Sequence, residues 1–193
     1  QYVTESKFEI ETMSGTIEVE CLNSRATEFR VKMGKASFLS KDIPVAGEER
    51  EVINETFTFC GQEYNATCLT VGNPHCIIFT DKVDKDMVTK IGPYVENAEE
   101  FPHRMNLQIC HRIDSGNLDI EIWERGSGYT RASGTGCCAA AAAAYRLGLV
   151  ESRVNVNQPG GMMQVDIDED GTIYMTGTVG YIADMKVAES FFS

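Results

Sequence analysis

Apolar and polar residues alternate with a period of two along most of the chain, the pattern of strands that bury one face. The alternating stretches come in pairs joined by turn-forming residues. Residues 8–12 and 16–21 flank Ser14-Gly15, and 55–60 and 64–69 flank Gly61-Gln62-Glu63. Residues 107–113 and 118–123 flank Asp114-Ser115-Gly116-Asn117, and 162–167 and 172–175 flank Asp168-Glu169-Asp170-Gly171. Four such hairpins predict an antiparallel sheet. Helical signals occur in only two places. Residues 84–90 form a short surface helix with Asp84 as cap and Gly92-Pro93 as its stop. A second helix spans 134–147, ends before Gly148 and contains the unbroken alanine run 139–144, the strongest helix former available. It has no polar face, so it must be buried all round by strands packed close against a thin rod. The expected fold class is α+β, a curled antiparallel sheet around a central alanine-rich helix.

At 193 residues the chain is one large domain or two small ones, and 42% apolar residues suffice for a core. Seventeen basic against 29 acidic side chains leave a formal charge of −12. That balance argues against nucleic-acid or anionic-membrane partners, which need clustered positive charge. The longest apolar run, 137–145, is far short of a membrane span, and no signal segment opens the chain, so a cytoplasmic protein is expected. Seven cysteines cannot all pair within one chain, and in a reducing compartment they read as buried hydrophobes or reactive thiols. None has C-x-x-C spacing and the three histidines are scattered, so no metal site is expected. The sequons at Asn54 and Asn65 carry no weight without secretion.

Candidate chemistry concentrates in the run from Glu124 through Arg125, Gly126, Gly128, Ser133, Gly134, Thr135 and Gly136 into the alanine helix. It reads as a strand end, a glycine-rich loop and a helix N-terminus. Unpaired N–H groups at Gly134, Thr135 and Gly136, with the helix dipole behind them, suit a carboxylate or a phosphate. The plainer reading is that Ser133 caps the helix and the glycines permit close packing. A P-loop is excluded because Cys137, not lysine, follows Gly136, and a nucleophile elbow because Arg131 and Thr135 stand where glycines would be needed. Two further turns lead into strands: Gly72-Asn73-Pro74-His75 and Phe101-Pro102-His103-Arg104-Met105-Asn106. Asn73, held extended before proline, presents an amide with two donors, while His75 alone reads as a satisfied core histidine as readily as a functional one.

Taken in order, Gly-Asn-Pro-His, Phe-Pro-x-Arg-x-Asn and Glu-Arg-Gly-x-Gly-x-Thr-x-Ala-x-Gly-Thr-Gly before an alanine-rich helix resemble diaminopimelate epimerase, a pyridoxal-phosphate-independent amino-acid epimerase family. Gln158-Pro159-Gly160-Gly161, Tyr174-Met175-Thr176-Gly177 and the opening Glu9-Ile10-Glu11-Thr12-Met13-Ser14-Gly15 extend the resemblance over nearly the whole chain. It implies two pseudo-symmetric lobes, each a curled sheet around a central helix, with the substrate between them. Each lobe supplies a cysteine at its helix N-terminus, one removing the α-proton and the other returning a proton, with no cofactor. The resemblance further implies that Asn73, Asn106 and Arg125 hold the distal end of a small-molecule amino acid. Glu124 would contact its amino group, His75 would assist the thiols, and Gly134 and Thr135 would bind the α-carboxylate. Family members are often homodimers, which the residues here neither show nor exclude.

Two departures qualify this. Ser133 stands where the family has its second cysteine, and a hydroxyl is far less acidic than a thiol. Cys137, one turn further on the same face, is a poor substitute. The chain is also expected to be a fragment, inactive alone: 1–44 as closing strands of a truncated first lobe, 45–175 as a complete second lobe, and 176–193 as a strand returning to the first. Isomerisation of LL- to meso-diaminopimelate is the leading reading. A racemase of another amino acid such as histidine, or a non-catalytic amino-acid-binding module, are the alternatives.

Overall fold

The computed structural model describes residues 4–12 and 15–191. In chain order the elements are β1 (Lys7–Thr12), β2 (Gly15–Cys21), β3 (Glu28–Lys35), β4 (Glu55–Phe59), β5 (Gln62–Thr70), β6 (Pro74–Phe79), α1 (Lys85–Glu96), β7 (Asn106–Asp114), β8 (Asn117–Glu124), β9 (Gly128–Thr130), α2 (Gly134–Arg146), β10 (Arg153–Gln158), β11 (Gly161–Ile167) and β12 (Thr172–Thr178). All four expected hairpins form, as β1–β2, β4–β5, β7–β8 and β11–β12. Met13 and Ser14 of the first turn, which also belong to the opening motif, lie outside the described residues, as do the chain ends at 1–3 and 192–193.

The α+β class is as expected, and the sheet is antiparallel except at two pairs. The strands run β1-β2-β3-β12-β11-β10-β8-β7-β6-β5-β4, with β9 on β8, and two neighbours, β6–β7 and β8–β10, are parallel. Each parallel pair is joined through a helix, because a strand that leaves one end of a sheet and re-enters in the same direction needs a long crossover. The expected stop of α1 at Gly92-Pro93 is corrected, since the helix runs on to Glu96. Proline so near the C-terminus removes only the bond to the Thr89 carbonyl, while Val88, Ile91 and Val95 beyond and before it are buried. Gly92 is where the Trp123 indole rests on the helix: a Cβ there would lie 2.4 Å from the ring.

The alanine helix behaves as its composition requires. Gly136 through Ala144 are buried, and Leu147 caps the end before Gly148, at φ +69°. Leu69, Ile77, Ile120, Ile122, Val154, Val156, Val165 and Ile173 pack around it, and on the opposite sheet face α1 covers Phe57, Phe59, Ile78, Leu107 and Ile109. The strands almost encircle α2. From β3 the order runs round through β12, β11, β10, β8, β7 and β6 to β5, whose Thr70 pairs back to Ser37, just after β3, by two backbone bonds of 3.0 and 2.9 Å. All seven cysteines are free, five of them buried. Among the described residues no helix is long and apolar enough to cross a membrane.

Candidate active site

One end of this ring collects the candidate residues. β6 and β7 begin there, β5 and β8 end there, and α2 starts there, so residues remote in sequence become neighbours. Leu69 is paired with His75, His75 with Asn106, and Leu107 with Trp123. Strand alternation turns His75 and Gln108 toward α2, while Cys76, Ile78, Leu107 and Ile109 face α1.

Ser133 is the N-cap of α2. Its extended backbone (φ −151°, ψ 118°) lets Oγ accept from the Gly136 N–H at 3.0 Å, and its own N–H donates to Gln158 Oε1 at 2.8 Å. The loop before it is fastened to the β10–β11 turn, with Gly160 N donating to Arg131 O at 2.6 Å and Arg131 Nη2 to Pro159 O at 3.1 Å. Glycine is required at Gly160, where a Cβ would lie 2.9 Å from Arg131 O, while a Cβ on Gly134 would only displace the flexible Met175 thioether, 2.9 Å away. Ser133, Gly134 and Thr135 are all half-buried, so the first turn of α2 opens to the surface.

Asn73, also half-buried, reaches that turn, its Nδ2 donating to Thr135 Oγ1 at 3.3 Å. His75 lies behind it, fully buried, with Nε2 3.0 Å from Asn73 Oδ1 and Nδ1 2.9 Å from Gln108 Oε1. Burial, with a smaller push from the Arg125 charge and against a bond to Gln108, lowers its pKa to about 4, so the ring is neutral near pH 7. Asn106 is buried with both ends of its amide engaged: Nδ2 donates to Pro74 O at 2.8 Å and Oδ1 accepts from Arg125 N at 2.9 Å. It thereby ties the Asn73 turn to the Arg125 turn. Arg125 is exposed, anchored by one guanidinium nitrogen to His103 O at 2.8 Å. Glu124 is half-buried on the face of β8 that Ile122 presents to α2.

The structure therefore joins Thr135, Asn73 and His75 by side-chain hydrogen bonds at the first turn of α2, where Ser133 and Gly134 also lie, with Asn106 and Arg125 linked to them through backbone. Cys137 belongs to the core instead. Burial pushes its thiol up to about 12 and that of Cys138 higher still, so neither supplies a thiolate near neutral pH. A separate cavity of about 530 Å³, on the β1–β3 face, is lined by Lys7, Glu9, Glu18, Glu20, Arg30 and Tyr174 among others. Its cations are largely matched by the Lys7–Glu20 and Lys32–Glu18 pairs, so it offers no net attraction for an anion.

Two residues that sequence reasoning passed over hold the site together. Glu96, at the end of α1 with a side chain only 5% exposed, pairs with Arg104, accepts from Trp123 Nε1 at 2.7 Å and from Gly126 N at 2.7 Å. It fixes both turns that carry Arg125 and Asn106. Nothing in the acidic stretch around it marks it as buried. Gln108 did carry a signal: a polar residue on the inward face of an apolar strand.

His75 gives a prediction. Imidazole takes a proton near 6.5 in the unfolded chain but only near 4 in the folded one, so acid favours unfolding. Its stabilising share is complete above pH 6.5 and is lost as pH falls toward 4, by about 2–3 kcal/mol at pH 4.5. Urea unfolding of the natural protein and of His75→Gln at pH 7.5 and 4.5 should show the natural protein losing about that much more. Equal losses would show that His75 is not held neutral.

Comparison with known proteins agrees with the geometry. The diaminopimelate epimerase family model matches residues 67–182. The chain is 40% identical over 198 aligned residues to diaminopimelate epimerase 2 of a Nostoc species, covering 99% of this chain and 67% of that protein. It is 38% identical to diaminopimelate epimerase of Bacillus cytotoxicus over 180 residues, 91% of this chain and 62% of that protein. The chain thus spans about two thirds of the length of the curated relatives it matches. Among solved structures, a hydroxyproline epimerase from Agrobacterium vitis superposes with TM-score 0.64 at 12% identity, over 91% of this chain and 58% of that one. A PhzF-family phenazine biosynthesis protein from Bacillus anthracis gives TM-score 0.56 at 14% identity, over 96% and 70%. At such identities these two likenesses show the fold alone.

Proposed function

Because the chain belongs to the diaminopimelate epimerase family, we propose that it forms one wall of a cofactor-independent amino-acid epimerase site that interconverts LL- and meso-diaminopimelate. The observation that carries the proposal is the convergence of α2's open N-terminus, the Asn73 amide and Arg125 at one end of the sheet. The helix end and Arg125 offer donors and positive potential and the Asn73 amide a further donor, which suits a zwitterion with a second carboxylate. Gly134 and Thr135 N–H groups would receive the α-carboxylate and stabilise charge as the α-proton leaves. Arg125 would read the distal carboxylate, Glu124 the amino group, and Asn106 would act through the two turns it holds.

In this scheme a base from the opposing lobe takes the α-proton, and the group at position 133 faces the other side of the α-carbon. The outer parts of segments 1–44 and 176–193 would belong with that first lobe, whereas Ala36 and Phe38 pack beside α2 and Ile43 is fully buried in the core under α1. The apolar side chains they leave uncovered, Ile10 at 47% exposure and Ile182 at 95%, support this division. The test is α-proton exchange in deuterium oxide, in a protein carrying both lobes, with LL-diaminopimelate, histidine and other amino acids. Loss of the α-proton signal from diaminopimelate is expected. Exchange confined to monocarboxylic amino acids would overturn the assignment. A second reading, a binding module without catalysis, is favoured by two observations: the Ser133 hydroxyl is engaged as a helix cap, and the neighbouring Cys137 thiol is held up at about 12. Binding without exchange is its signature.

A further inference from the structure

Gln108 is fully buried, and its Nε2 has no hydrogen-bond partner. That atom lies 3.1 Å from where a Cβ on Gly136 would sit, close beneath the first turn of α2. A buried amide N–H without a partner is costly, and the positive end of a helix is the wrong place for a donor. A second anomaly adjoins it. Both nitrogens of the His75 ring face amide oxygens, Gln108 Oε1 at 2.9 Å and Asn73 Oδ1 at 3.0 Å. A neutral imidazole has one N–H and can satisfy only one of them.

The oxygen and nitrogen of an amide have the same shape, so a half-turn of the Gln108 amide removes both anomalies. Its N–H then donates to His75 Nδ1, and its oxygen faces the positive end of α2. Turning Asn73 instead would satisfy the ring but leave the buried Gln108 donor stranded, while the Thr135 hydroxyl can pair with either end of the Asn73 amide. We propose that Gln108 is a positioning residue that sets the polarity of a hydrogen-bond relay reaching the candidate site. Gln108 Nε2–H donates to His75 Nδ1, His75 Nε2–H to Asn73 Oδ1, and Asn73 Nδ2–H to Thr135 Oγ1. The direction of each bond fixes the next. The relay holds Asn73 with its donors toward the opening of α2, so the pocket presents N–H groups to a ligand carboxylate. For the identity of that ligand the inference rests on the epimerase reading; the relay itself does not.

The decisive measurement is ¹⁵N NMR of the histidine rings at pH 7.5. His75 is expected as the Nε2–H tautomer, with an unprotonated Nδ1 coupled across a hydrogen bond to the Gln108 side-chain nitrogen. A proton on Nδ1, alone or together with one on Nε2, overturns the relay. Gln108→Met removes the donor. The coupling should vanish, the ring proton should divide between the two nitrogens, and the Kd for meso-diaminopimelate should rise about fivefold, the equivalent of one net hydrogen bond. An unaltered tautomer with unaltered Kd would overturn Gln108's part in it. If Gln108→Met does not fold, the spectrum of the natural protein decides alone. If the two-lobed protein binds no diaminopimelate yet shows the expected tautomer and coupling, the substrate reading fails while the relay stands.

Discussion

Replacing Ser133 with cysteine in a protein carrying both lobes should raise the rate of α-proton exchange by at least about a hundredfold, the low end of what a positioned acid or base contributes. Ser133 sits at the open N-terminus of α2, where backbone N–H groups and the helix dipole favour an anion. A thiol in that field ionises at roughly pH 3.5–7.5, whereas a hydroxyl there stays protonated through the working range. With serine the site has an acid too weak to surrender its proton readily and no base on this side. The buried thiols around α2 cannot stand in, since Cys137 is held up at about 12, so Cys137→Ala serves as a control that leaves the rate unchanged. The same change should lower stability by about 1 kcal/mol, because the serine hydroxyl caps Gly136 N–H at 3.0 Å and sulfur caps poorly. A rate that stays flat while diaminopimelate still binds would move the protein from disabled enzyme to binding module.

Much of this architecture was legible wherever the determining interaction is local. The hairpins follow from alternating residues around short turns, such as Cys60-Gly61 at φ 53° and 74°, and the central helix from its alanines. The loop chemistry was legible because Asn73, Arg125 and Ser133 lie in segments too rich in glycine and proline to continue as strand or helix. What stayed hidden depends on contacts distant in sequence. The parallel pairings of β6–β7 and β8–β10 need the crossover helices to be placed first. The closure of the ring through Ser37 and Thr70 has no local signature. Pro93 looked like a stop because the burial of Val95 and Glu96, which outweighs one lost hydrogen bond, is a tertiary fact. Asn106 looked like a ligand contact, and its amide proves to be engaged with Pro74 and Arg125.

Glu96→Ala should destabilise the protein by about 3 kcal/mol and loosen the turn that carries Arg125, although Glu96 touches no part of the proposed pocket. The carboxylate serves three donors from three places: Arg104 before β7, Trp123 on β8 and Gly126 in the turn beyond. The arginine contributes least, since its side chain is 52% exposed and water screens the pair. The indole N–H of half-buried Trp123 has little such recourse and left unpaired costs about 1–3 kcal/mol, while the Gly126 N–H, in an exposed turn, costs less. Glu96→Gln keeps one acceptor and should cost less than the alanine. Urea unfolding measures the stability, and hydrogen exchange at the Gly126 amide reports the turn. With that turn loosened, Arg125 loses its fixed station beside Asn106, so affinity for a dicarboxylic amino acid should fall further than affinity for a monocarboxylic one. A loss below about 1 kcal/mol, with the Gly126 amide still protected, would mean that the two donors find other partners and that α1 does not hold the site. A selective loss of dicarboxylate binding would instead tie specificity to a residue buried under the sheet, on the face opposite the alanine helix.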